Sequence, residues 1–165
     1  FHYLGALESN LGKALQHIAE DEKTEEWLAL MDWGYGSLKN GARDEWLGWS
    51  REYKERRLKY VVTNTRFLIL PGMSKPKHLA SQVLARCTKR LSDDWARYHG
   101  HHIFLAETFV DISRFRDTCY IAANWQDVGK TKDFGRSNTH YVEHGERKRV
   151  ASKACSEPTG QGDSN

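Results

Sequence analysis

Glu107 and Asp111 flank Thr108, Phe109 and Val110 at the end of an apolar segment, and Arg114 and Arg116 follow within a few residues. Carboxylates beside guanidinium groups can move protons or fix a polar ligand. Asn64 and Arg66, on another strongly apolar segment, could face the same crevice. Amide, guanidinium and carboxylate would then converge at strand ends, where open α/β sheets bind their ligands. The same set could equally be a buried ion-pair network that holds a sheet together, and the residues alone leave both readings open.

A second group lies in residues 70–78, LPGMSKPKH, which join that apolar segment to a long amphipathic one. Backbone amides, a helix N-terminus, Ser74, Lys75, Lys77 and His78 would meet there, an arrangement that attracts anions such as a cofactor's phosphates. Gly72 lacks the glycine partners of a P-loop or a dinucleotide fingerprint, so a plain turn beneath solvated lysines competes with this reading. A third group is basic: Lys130, Lys132, Arg136, Arg147, Lys148 and Arg149, with Phe134 and Tyr141 interleaved. Lys130, Lys132 and Arg136 are its candidate contacts to a nucleic-acid backbone. Glu143 and Glu146 dilute the charge, which also fits a merely solvated segment. His99, His101 and His102 have no Cys pair or HExxH to complete a metal site, and Cys119 has no flanking nucleophile signature.

These side chains need elements to place them. Residues 12–31 are helical in tone, with Leu15, Ile18, Trp27, Leu28 and Met31 as apolar positions, and the acidic run Glu20, Asp21, Glu22 predicts a break between two short helices. Residues 32–48 are punctuated by Gly34, Gly36, Asn40, Gly41 and Gly48 and predict short strands or loops anchored by tryptophans. A charged helical turn or loop is expected over 51–57, then the clearest strand over 58–70, rich in β-branched and aromatic residues. Residues 78–98 form the best helix, because Leu79, Val83, Leu84, Cys87, Leu91 and Trp95 recur at steps of three and four and Gly100 stands past the end as a cap. A strand over 102–110, a short helix over 112–124 and a strand over 125–129 complete an alternation that predicts an α/β sheet with helices on its faces. Asn124, closing that short helix, joins the ligand-binding candidates.

Composition bounds the rest. With 165 residues, 39% of them hydrophobic and 28% charged, the chain suits one globular domain rather than a disordered or two-domain protein. A mean hydropathy of −0.74 and six tryptophans describe a polar surface around a ring-rich core. The longest apolar run, FLIL, is far short of the ~20 residues that span a bilayer. Three cysteines without regular spacing argue for a reducing compartment, read as the cytoplasm. The net charge of +3 permits a nucleic-acid partner without requiring one. The start, FHYLG, reads as the interior of a domain and so suggests a fragment, whereas the small polar residues of 151–165 predict disorder.

Four strings carry the argument beyond physics: VVTNTRFLILP (61–71), HLASQVLARCTKRLSDDW (78–95), FLAETFVD (104–111) and RFRDTCYIAANW (114–125). With FHYLG at the start and RDEWLGW at 43–49, they resemble the DruA family over residues 1 to about 140, leaving 141–165 as a basic and then low-complexity tail. The resemblance implies a component of the Druantia anti-phage defence system, or of a mobile element of transposase-like kind, acting at or near DNA beside partners that include a helicase-type protein. The order of elements also resembles the GNAT acetyltransferase fold, a mixed sheet flanked by helices in a single domain. That likeness implies coenzyme A or another phosphate-bearing ligand at the loop 71–78, with Glu107 or Asp111 as general base and Tyr120 as acid. Residues 71–78 lack the Arg/Gln-x-x-Gly-x-Gly/Ala pattern of that superfamily. A scaffold whose polar crevice only holds the sheet together is the third reading.

Overall fold

A computed structural model describes residues 14–72, 76–111, 118–131, 135–137, 140–142 and 148–155. The first pair of elements departs from expectation. Residues 12–31 do not form helices: β1 (Leu15–Glu20) and β2 (Trp27–Tyr35) make an antiparallel hairpin. The steps between Leu15 and Ile18 fit a helix, but the period is two once the polar His17 is counted inward, as in Leu15, His17, Ala19 and Ala29, Met31, Trp33, all buried. The acidic run is the hairpin turn, where Asp21 Oδ1 accepts from the backbone N–H groups of Lys23 and Thr24.

Instead of the short strands or loops expected after Tyr35, residues 41–47 form a helix, α1 (Gly41–Leu47). Asn40 caps it by accepting from the Arg43 N–H. The helical turn expected over 51–57 is α2 (Arg51–Arg57), capped by Ser50 and followed by a 3-10 turn, Leu58–Tyr60. Next comes β3 (Val61–Ile69), and then α3 (Leu79–His99), which ends at Gly100 in the left-handed region (φ 83) as its periodicity predicts. The remaining elements are β4 (Leu105–Val110), α4 (Thr118–Ala122), β5 (Gln126–Lys130), the small ribbon β6 (Gly135–Ser137) and β7 (His140–Val142), and β8 (Arg149–Ala154).

Six strands form one mixed sheet in the order β1-β2-β3-β4-β8-β5. Thus Ala151, Ser152, Lys153 and Ala154, expected in a disordered tail, lie in a strand between β4 and β5. Small side chains hide this strand from a reading by apolar weight, yet Val150, Ala151 and Ser152 are all buried. The α/β class, with helices on a mixed sheet in a single domain, is as the sequence predicts.

One core runs along the face beneath α3, joining Leu15, Met31 and Trp33 to Val62, Ala106 and Ala151 across five strands, and to Leu84, Leu91 and Trp95 on the helix. Each large side chain there is worth roughly 1.5–3 kcal/mol of burial. Trp33 stacks on Trp125 at 6.4 Å. Its indole N–H donates to His17 Nδ1 at 3.1 Å. An indole can only donate, so His17 carries its proton on Nε2 and gives it to Asp94 on α3 at 2.9 Å. Burial works to raise the Asp94 carboxyl, but hydrogen bonds from His17 and Arg90 outweigh it and hold the group below the ordinary carboxylate range.

Candidate functional site

The parallel ladder between β3 and β4 is only four residues long, pairing Val61 to Asn64 with Leu105 to Thr108. Beyond it the strands separate. From Arg66 onward β3 pairs only with β2, while Phe109 and Val110 of β4 pair only with β8. A bulge at this point slips the β2–β3 register between Asp32 and Trp33, adding Thr65 between Asn64 and Arg66. The divergence opens a cleft of about 640 Å³ bordered by both strands, by α4 and by Ala80 in the first turn of α3. Such a volume suits a small molecule or cofactor.

At the fork, Asn64 uses its amide N–H groups on the carbonyls of Asp32 (3.0 Å) and Arg66 (2.9 Å), which fixes the side chain across the bulge. Its Oδ1 accepts from the Tyr120 hydroxyl at 3.0 Å, and Thr108 Oγ1 donates to the same hydroxyl at 3.4 Å. Tyr120 therefore joins α4 to both diverging strands. Phe67 and Trp125 meet its ring edge to face at 6.5 and 5.3 Å. Lys153 anchors the end of α4 by donating to the Ala123 carbonyl at 2.6 Å. Burial pushes the Tyr120 hydroxyl up to about 12, with the Thr108 hydrogen bond working the other way. At neutral pH the oxygen keeps its proton. It can serve as an acid and is unsuited to act as a base.

The other expected residues divide. Asn64, Arg66, Asp111 and Tyr120 all border the cleft, with Asp111 half-buried and Arg66 exposed. Arg66 Nε lies 3.6 Å from Asp32. Lys77 and His78 are exposed just before α3, and His78 caps the helix with backbone in the left-handed region but with no side-chain hydrogen bond. Ser74, Lys75, Arg116 and Lys132 lie outside the described residues, as does the side chain of Arg136, whose backbone pairs with Tyr141 in the ribbon. Lys130 is exposed at the end of β5. Asn124 does not border the cleft: its left-handed φ of 62 turns the chain from α4 toward β5.

Glu107 is corrected most sharply. It is fully buried on the sheet face opposite α3 and accepts four hydrogen bonds: Ser37 N–H (2.8 Å), Thr63 Oγ1 (2.9 Å), Asn40 Nδ2 (2.9 Å) and Arg43 Nη1 (2.8 Å). Side chains on a strand alternate between faces, so Glu107 points away from its neighbour Thr108, which borders the cleft. It pins α1 to the sheet and does not border the cleft, which fits the ion-pair network the sequence left open. His99 bonds the Ala14 carbonyl and His102 lies near Ser92, and among the described residues no three His, Cys, Asp or Glu groups could hold a metal. Among those residues no helix is long and apolar enough to cross a membrane.

Sequence reasoning missed two cleft residues and one that supports α4. Thr108 had only its place between two carboxylates to recommend it and Lys148 was one of several cations, while Lys153, which anchors the end of α4, lay in the expected tail. Cys119, considered as a lone nucleophile, borders the cleft beside Tyr120.

Comparison with known proteins follows this geometry. The fold is similar to that of a protein described as an acetyltransferase from Sphaerobacter thermophilus DSM 20745, at 11% identity and a TM-score of 0.43, covering 86% of this chain and 69% of that one. It is also similar to ribosomal-protein-S5-alanine acetyltransferase from Vibrio fischeri, at 9% identity and a TM-score of 0.47, covering 88% of this chain and 63% of that one. These likenesses concern the fold alone. No curated protein matches. The family described as Druantia protein DruA matches residues 1–162, beyond the limit of about 140 expected from the quoted strings. With nearly its whole length covered by that match, the chain belongs to the DruA family.

Proposed function

We propose that this domain serves an anti-phage system of the Druantia kind as an acyltransferase-like component, binding a phosphate-bearing cofactor such as coenzyme A between β3 and β4. The observation that carries the reading is the fork itself, where two parallel strands part around a half-buried tyrosine whose hydroxyl bonds to both of them. The residues fit such a group. Strand backbone runs along both sides of the cleft, Lys148 offers a cation at its border, and Lys77 stands at the nearby start of α3. When bound in its acylated form, the cofactor would supply a thioester, with the free thiol as leaving group.

The chain's own residues would do the rest. Tyr120 holds a proton at Oη that is now given to Asn64 Oδ1, and an anion arriving in the cleft would compete for it. Asn64 keeps the hydroxyl in place through its two backbone carbonyls. Asp111 is the one carboxylate among the described residues bordering the cleft, and so the group to receive a proton from an amine. With Glu107 withdrawn to the sheet's other face, the general-base role falls, among the described residues, to Asp111.

Coenzyme A and acetyl-coenzyme A are expected to raise the melting temperature, since a ligand that binds only the native state stabilises it. The rise should shrink in Lys148→Ala. If acyl transfer to an amine acceptor is found, Tyr120→Phe and Asp111→Asn should each lower kcat by about 10²–10⁴-fold. No shift at millimolar coenzyme A would overturn the reading. The partnership with a helicase-type component is part of the same proposal, supported by the family, and loss of co-purification when the two are expressed together would count against it. DNA contact through Lys130, Lys132 and Arg136 draws support here only from the exposure of Lys130.

A further inference from the structure

Outside the cleft, α2 and the 3-10 turn that follows it carry a surface of another kind. Tyr53, Arg56 and Arg57 stand at i, i+3 and i+4, so they share one face of the helix. Tyr53 is 50% exposed, and both arginines are exposed. Of the helix's two carboxylates, Glu52 stands four residues before Arg56 at the edge of that face without forming an ion pair among the described residues, and Glu55 lies 3.6 Å from Arg51. Lys54 points elsewhere too, held to Asp44 at 2.8 Å.

What the cations touch is informative. The Arg57 guanidinium lies over the Tyr53 ring at 4.7 Å, and Lys59 Nζ lies over the Tyr60 ring at 5.0 Å. Tyr60 in turn meets His101 edge to face at 5.7 Å. Two of the three cations, Arg57 and Lys59, thus lie over aromatic rings, which leave their formal charge unneutralised.

The mounting is rigid. Arg43 and Glu107, both with fully buried side chains, meet at 2.8 Å beneath α1. Asp44, bonded to Arg43 on one side and to Lys54 on the other, links that buried pair to α2. A surface held this way loses little entropy when a ligand settles on it.

We propose that the α2 surface binds single-stranded nucleic acid, with Arg56, Arg57 and Lys59 on phosphates and Tyr53 as a stacking platform for a base. Backbone charge paired with sequence-tolerant stacking is what an unpaired strand offers, whereas duplex DNA hides its base faces and an acidic peptide has none. The inference is independent of the coenzyme A reading, because no residue of this surface borders the cleft.

The test measures fluorescence anisotropy of a labelled oligothymidylate of about 20 nucleotides against the full chain, over a series of salt concentrations. Binding at low salt is expected to weaken at least tenfold in the triple variant R56A/R57A/K59A. The slope of log K against log salt should fall by about 2, as expected when three single-strand phosphate contacts are lost. Tyr53→Ala should weaken binding about tenfold with little change in that slope. Should the triple variant melt early, the single reversal Arg56→Glu reads the same surface, since Arg56 has no partner among the described residues. The proposal is overturned if the wild-type chain does not bind the oligonucleotide at low salt, if these variants bind it unchanged, or if polyglutamate displaces it as well as unlabelled oligothymidylate does.

Discussion

Glu107 and Tyr120 show how two polar side chains from one candidate list acquire opposite roles. Glu107 sits among four donors with no exposed surface, while Tyr120 keeps a proton at the edge of open space. Removing the charge from Glu107 would leave Arg43 buried with Asp44 as its remaining carboxylate. Glu107→Gln is therefore expected to cost about 3–5 kcal/mol, read from urea unfolding, and a paired Arg43→Met, Glu107→Leu exchange should recover much of it. The pattern would fail if the single variant matched the wild type. No spacing rule could have revealed this, because Arg43 and Glu107 stand 64 residues apart.

Alkaline pH reads a second property of single residues. Burial pushes Cys87 and Cys155 from an ordinary 9.0 up to about 12, and Tyr120 from 10.0 up to about 12. Each folded-state value lies above the unfolded one, so the folded chain holds protons that the unfolded chain releases. The associated stability is complete below pH 9 and lost as the pH rises toward 12. Melting temperatures measured from pH 8 to 11 should fall progressively, and the fall should be shallower in Cys87→Ala. Asp94 acts in the opposite sense: its lowered value favours the fold above the ordinary carboxylate range, and that part is lost as acid protonates it.

At the scale of elements, legibility follows side-chain weight. The run FLIL and the three-and-four spacing of α3 announce β3 and the long helix, because a large apolar side chain on a regular period has few alternatives. The hairpin β1–β2 was obscured by His17, a polar group that enters the core only because Trp33 and Asp94 satisfy both ring nitrogens. β8 was obscured by its small residues, which suit a strand buried on both faces. That strand carries the ladder to β4 over six residues and holds β5 in the sheet. Ala151→Pro removes a backbone donor at its middle and is expected to cost about 3 kcal/mol or more, enough to lower the melting temperature by several degrees at least. A variant that melts like the wild type would contradict the strand's central place.

Across the molecule, the six-stranded sheet is two antiparallel arms, β1-β2-β3 and β4-β8-β5, joined by four residues of parallel ladder. The cleft lies where the arms part, so it was not visible in any local segment; only the candidates Asn64, Arg66, Asp111 and Tyr120 hinted at it. Such a narrow join would let the arms unfold separately were it not for α3, whose buried face shares one core with strands of both. Unfolding is therefore expected to be a single transition, with calorimetric and van't Hoff enthalpies equal, and two resolved transitions would show that the helix does not couple the arms.

The strand order also sets a timetable for synthesis. The sheet order places β8 between β4 and β5, yet it leaves the ribosome after both. Until residue 154 has emerged, β4 shows an open edge and β5 has no partner in the sheet, so a nascent chain with a finished hairpin and long helix still carries an unpaired strand edge. The slowest codons and the first chaperone contacts would matter most in that interval, and a chain stalled just before Arg149 would be the species most prone to pair with a neighbour instead of with itself.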